Sequence, residues 1–107
     1  MRLTRKILSI AGVLTLWAFN VQAADTARDP DGIIAAHCVA CHSVGLLNAP
    51  KIGDTQAWEA RAQKTGGLDG LLASTIKGIG IMPPKGTCGD CTNDELKSAI
   101  QSMSGLK

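Results

Sequence analysis

The sequence predicts an all-α domain of about four short helices joined by two irregular loops. Three observations carry that prediction. Helix-start residues stand repeatedly just before apolar residues at the i, i+3, i+4, i+7 spacing of a buried helical stripe. No segment shows the sustained apolar–polar alternation, closed by hairpin turns, that half-buried strands need. Breaker residues gather in two places, residues 43–53 with Asn48, Pro50 and Gly53, and residues 78–91, which read as loops. There is no long internal repeat and no low-complexity tract.

The first helix opens at Asp29 and Pro30. Asp29 can cap the first free N–H groups, and Pro30 stands where a missing N–H costs nothing, so the helix is expected from there to about Cys41. Asp54 or Thr55 caps a second, "TQAWEARAQK", that ends at Gly66-Gly67. A third, "LDGLLASTIK", places Leu68, Leu71, Leu72, Thr75 and Ile76 on one side before Gly78 stops it. The last is the best specified: Thr92 and Glu95 form a T-x-x-E capping box, followed by the stripe Leu96, Ala99, Ile100 and Met103.

Ahead of these lies a basic "MRLTRK", an apolar "ILSIAGVLTLWAF" and a small-residue "NVQA", the order of a secretory signal peptide. Cleavage is expected after Ala23, with Ala24 the next choice and an uncleaved anchor the alternative. Residues 1–23 are thus read as signal and 24–107 as the domain, which places it in the periplasm. Arg2, Arg5 and Lys6 leave with the signal, so 11 Lys+Arg fall to 8 against 9 Asp+Glu, and nothing in the balance suggests nucleic acid. Trp17 and Phe19 leave too, so Trp58 is the one aromatic residue of the mature domain. A chain this short with so little side-chain volume has trouble filling a core. A large flat prosthetic group would supply the missing apolar volume.

"CVACH", residues 38–42, names such a group. C-x-x-C-H is the spacing of covalent haem attachment. Cys38 and Cys41 are i, i+3 neighbours, so both thiols face one side of a helix and can each add to a haem vinyl group, while His42 reaches the iron. Three competitors exist. A simple disulfide is the bland alternative, while a thioredoxin-type redox pair wants a strand leading into it, which this chain lacks. Zinc held by "CVAC" and "CGDC" would need pairs much closer than the 46 residues that separate them. Cys88 and Cys91 then read most simply as a disulfide across a short turn, worth about 2 kcal/mol of chain entropy; a redox-active pair is the sharper alternative.

The iron's sixth position has few candidates. Met103 belongs to the last helix's apolar stripe and reads as core, and His37 reads as a surface or satisfied histidine. Met82 lies in "KGIGIMPPKG", where Gly78 and Gly80 allow close backbone approach and Pro83-Pro84 keep the path extended. It reads as a thioether ligand, with loop packing as the alternative. His/Met ligation raises the potential relative to bis-histidine and closes both axial positions, which suits electron transfer.

With "CVACH", "APKIGD", Trp58, "GIGIMPPKGTCGDC" and "LKSAIQSM" in this order, nearly the whole mature domain resembles the class I c-type cytochromes, most closely the cytochrome c5 subgroup. The resemblance implies the small cytochrome c fold wrapped around one haem c, covalent on Cys38 and Cys41, with axial His42 and Met82 and a Cys88–Cys91 disulfide. It implies an electron carrier, not an enzyme, that has no small-molecule substrate and meets donor and acceptor redox proteins transiently, among them membrane respiratory complexes or periplasmic reductases. Pro50, Lys51 and Ile52 are expected on the histidine side of the haem crevice, Ile79, Ile81 and Pro83 on the methionine side, and Trp58 also in its lining. Lys51 and Lys85 are expected to ring the exposed edge. The rival readings are a haem enzyme or gas sensor with a labile sixth ligand, for which only His37 offers a polar distal residue, and a disulfide oxidoreductase using Cys88 and Cys91. Related sequences often carry an aromatic four residues before the first cysteine and another on the last helix; here Ile34 and Ser102 stand there, which predicts a small stability deficit where the terminal helices cross.

Overall fold

A computed structural model describes residues 12–15, 17 and 26–107 of the chain. The signal peptide and its cleavage site lie almost wholly outside them. Among the described residues the elements are helical, without strands: α1 (Pro30–Ile33), a π turn (Ile34–Cys38), α2 (Val39–His42), a 3₁₀ turn (Leu46–Asn48), α3 (Thr55–Thr65), α4 (Gly67–Lys77), a second 3₁₀ turn (Pro84–Thr87) and α5 (Asn93–Ser104). No helix among them is long and apolar enough to cross a membrane.

The helix starts follow the caps. Asp29 accepts from the Asp31 amide at 3.2 Å and Asp54 from the Ala57 amide at 3.3 Å. On α5 the capping box is complete: the Glu95 amide donates to Thr92 Oγ1 at 3.1 Å, and the Thr92 amide to Glu95 Oε1 at 2.9 Å. Helical backbone runs from Pro30 to His42 as expected, with one difference: Ile34–Cys38 is wound as a wider π turn. Such single wide turns cluster at functional sites, and this one stops at the first cysteine.

The core joins Ile33 and Ile34 of the first helical stretch, Trp58 and Ala62 of α3, Leu71 of α4, and Leu96, Ala99, Ile100 and Met103 of α5, together with Cys88 and Cys91. Arg28 fixes the crossing of the terminal helices. Its backbone N–H and Nε both donate to Glu95 Oε2, at 2.8 and 2.9 Å, and Nη1 reaches Asp90 at 3.2 Å. The Glu95 side chain is 6 % exposed. The guanidinium, with the Thr92 and Arg28 amides, holds the Glu95 carboxyl well below the usual carboxylate range, and the carboxylates raise Arg28 in turn.

Candidate functional site

The helices leave an apolar cavity of about 350 Å³, walled by His42 and Cys38, by Trp58 of α3, by Leu71, Ser74 and Thr75 of α4, by Ile79 and Met82, and by the α5 stripe Leu96, Ala99, Ile100 and Met103. A second cavity of about 270 Å³ opens beside it, lined by Cys41, Leu46, Leu47, Gly80 and Ile81. His42, Pro50, Arg61, Ile79 and Met82 line both, so the two form one slot reaching from the core to the surface.

His42 is the most constrained side chain of the slot. It is buried, and its Nδ1 lies 2.8 Å from the Pro50 carbonyl oxygen. A carbonyl only accepts, so Nδ1 carries the proton and Nε2 keeps its lone pair free, the state a metal-ligating imidazole needs. Its ring stacks on Trp58, centroids 5.2 Å apart, and Trp58 Nε1 donates to the Lys51 carbonyl at 2.8 Å. The Ile52 amide donates to the His42 carbonyl at 2.9 Å. Residues 50–52 thus clasp the histidine ring and backbone together.

Cys38 and Cys41 are free thiols, both half-buried, and each lines one of the two cavities. Burial, and secondarily the neighbouring Cys41, pushes the Cys38 thiol above its ordinary pKa. Met82 lines both cavities from a turn closed by reciprocal backbone bonds, Ile79 N–H to the Met82 carbonyl at 3.2 Å and Met82 N–H to the Ile79 carbonyl at 2.9 Å. Cys88 and Cys91 are joined by a disulfide, and both are buried.

Of the crevice residues expected from the sequence, Pro50, Trp58, Ile79 and Ile81 line the slot. Lys51, Ile52 and Pro83 are not among the residues that line these two cavities. Lys51 and Ile52 act through backbone groups, Ile52 is exposed, and the Pro83 carbonyl accepts from the Gly86 amide at 3.0 Å. Lys85 lines the larger cavity, and its ammonium lies 3.4 Å from the carbonyls of Gly89 and Cys91. Sequence reasoning missed Arg61, which lies on both cavity walls and donates to the Asn48 carbonyl, and Arg28 with its partner Glu95. It also read the α5 stripe only as core, whereas the same stripe faces the slot. His37 lines neither cavity; its Nδ1 is 3.1 Å from Thr87 Oγ1.

Two thiols one helical turn apart, an imidazole with Nε2 free and a thioether share one apolar slot, a donor set that fits a flat apolar iron macrocycle bonded to the chain. This is the site of a covalent haem protein. Residues 25–101 match the family described as "Cytochrome C oxidase, cbb3-type, subunit III". The chain is 66 % identical over 80 residues to cytochrome c5 of Ectopseudomonas mendocina, covering 75 % of this chain and 92 % of that one. A mono-haem ferrocytochrome c from Shewanella putrefaciens superposes with a TM-score of 0.65 at 42 % identity, over 78 % of this chain and all of the other. The cytochrome c of an electron transfer complex with nitrite reductase matches at a TM-score of 0.63 and 36 % identity, over 75 % of this chain and 96 % of that one. The chain belongs to the class I c-type cytochromes, in the cytochrome c5 subgroup. It carries one covalent haem c and transports electrons.

Proposed function

We propose that the chain is a periplasmic single-electron carrier whose haem is bonded to Cys38 and Cys41 and ligated by His42 Nε2 and the Met82 sulfur. The observation that carries this reading is the 2.8 Å bond from His42 Nδ1 to the Pro50 carbonyl, which commits the other nitrogen to the slot that Met82 also lines. When bound, the haem supplies an iron that alternates between Fe(III) and Fe(II). The protein's part is to hold everything else still. Pro50 and Trp58 fix the imidazole, the Ile79–Met82 turn holds the thioether, and the helices around the slot exclude water. A fixed thioether favours the reduced iron.

Leu46, Leu47, Ile79 and Ile81 are exposed around the mouth of the second cavity. Docking of donor and acceptor proteins rests on this apolar rim, weakly and transiently. A relative 36 % identical forms an electron transfer complex with nitrite reductase, which supports redox-enzyme partners of that kind. Export rests on the N-terminal 23 residues, and the intact mass of the mature protein checks it.

The test is an absorption spectrum of the purified protein, oxidised and reduced, with a denaturing haem stain. The expected result is haem that stays on the chain, shows the weak far-red band of methionine-ligated ferric iron and ignores carbon monoxide. Met82→Ala should lose the band and bind carbon monoxide. A wild-type protein that binds carbon monoxide readily would overturn the ligation and favour a sensor or enzyme.

A further inference from the structure

We propose that His37 is a positioning residue for Met82, acting through Thr87 and the left-handed turn that backs the methionine. The inference rests on Met82 being the sixth ligand.

After Met82 the chain does something rarely tolerated. Lys85, Gly86 and Thr87 follow one another with φ of 59°, 55° and 70°. Side chains with a Cβ resist this conformation, and a β-branched threonine resists it most. Such a turn persists only where its surroundings hold it. From within the loop it is closed by the Gly86 and Cys88 amides, which donate to the Pro83 and Lys85 carbonyls, each at 3.0 Å. From outside it is tied to the haem-attachment helix by the His37 Nδ1 to Thr87 Oγ1 contact of 3.1 Å, which spans 50 residues of sequence. Either imidazole tautomer suffices, because the hydroxyl both donates and accepts.

The turn lies beside the methionine. A Cβ placed on Gly86 would make ordinary van der Waals contact with both Met82 Cε, at 3.8 Å, and the His37 carbonyl oxygen, at 3.9 Å, and Gly86 and Met82 line the same cavity. Gly86 thus stands between the end of the methionine and the backbone of the helix that carries His37, about a methyl's width from each. A turn released from His37 moves away from the helix, and the methyl loses the surface behind it. His37 stands next to Cys38, so one short segment would both attach the haem and set the position of its far ligand.

The experiment measures how fast free imidazole displaces the methionine from the ferric holoprotein, followed as loss of the far-red band. His37→Phe and Thr87→Val should each speed displacement about tenfold, the worth of one net hydrogen bond. Thr87→Ser keeps the hydroxyl and should exchange at the wild-type rate. The double variant should be no faster than the faster single, since both remove one interaction. Wild-type rates in both single variants, a fast Thr87→Ser, or additive effects in the double would overturn the proposal. Both variants alter surface or half-buried side chains, so if one fails to mature the other still decides. A wild-type protein lacking the far-red band would instead sink the Met82 ligation on which the inference stands.

Discussion

Gly78 and Gly80 look equivalent in "KGIGIM", and the structure separates them. Gly80 has φ +57° with nothing within 4 Å of an added Cβ, whereas Gly78, at φ +83° and ψ 151°, would place that carbon 2.9 Å from the Met82 carbonyl oxygen and 3.0 Å from the Pro84 nitrogen. Gly80→Ala costs the left-handed penalty, roughly 1–2 kcal/mol, less roughly 0.4–1 kcal/mol regained by stiffening the unfolded chain, so about 0.5–1 kcal/mol net. Gly78→Ala enters backbone space open essentially to glycine alone, at roughly 1–3 kcal/mol. Its Cβ also lies inside the ~3.3 Å approach of even a close C–H···O contact, and what must yield is the backbone of the Met82 turn. The net expectation is about 2–3 kcal/mol. At about 4–8 °C per kcal/mol for a domain this size, the ferric protein should melt roughly 8–24 °C lower for Gly78→Ala and roughly 2–8 °C lower for Gly80→Ala. The far-red band should weaken only in Gly78→Ala, because only there does the substitution push on Met82. Melts by circular dichroism and the 25 °C spectrum read both quantities. Equal shifts in the two variants, or an intact band in a destabilised Gly78→Ala, would refute the steric argument.

Two further outcomes follow from the crossing of the terminal helices. Glu95 has its carboxyl depressed chiefly by the Arg28 guanidinium, so it stabilises the fold fully above the usual carboxylate pKa of about 4.3 and loses that contribution as the pH falls toward its lower folded value. Urea midpoints of wild type and Glu95→Gln should differ by a constant amount from pH 8 to about pH 5 and converge below about pH 4; a gap that is unchanged at pH 3 would show the charge is not its source. Ile34 is buried and Ser102 exposed at the two positions where the family resemblance leads us to expect aromatics. Thermal melts of Ser102→Tyr and Ile34→Tyr should show a gain in at least one, and a further gain of about 0.5–1.5 kcal/mol in the double if the rings pair; no gain in any would end the idea of a deficit.

The helices were legible because each start is written locally. Asp29, Asp54 and the Thr92–Glu95 box each cap a helix within three residues of themselves. That His42 and Met82 line one slot was foreshadowed by attachment chemistry, which fixes the spacing of the first, and by proline, which restricts the backbone at the second. What the sequence hid is what depends on distant partners or on side-chain direction. Arg28 and Glu95 are 67 positions apart, and no local pattern joins them. Pro50 lines the slot, while its neighbours Lys51 and Ile52 contribute an acceptor and a donor from the backbone, roles that side-chain type does not announce. The π turn at Ile34–Cys38 carries no proline or glycine to announce it.

The shortage of aromatic residues and the slot are one fact seen from two levels. Trp58, Leu71, Leu96, Ala99, Ile100 and Met103, six of the eleven buried apolar residues of this domain, also line the larger cavity. These side chains therefore have one face against each other and one toward the slot. They are already only 2–7 % exposed, so little of their surface is left for a bound group to bury. A group seated in the slot would meet the same apolar side chains that hold the helices together, so a substitution among them is expected to act on stability and on the slot at once.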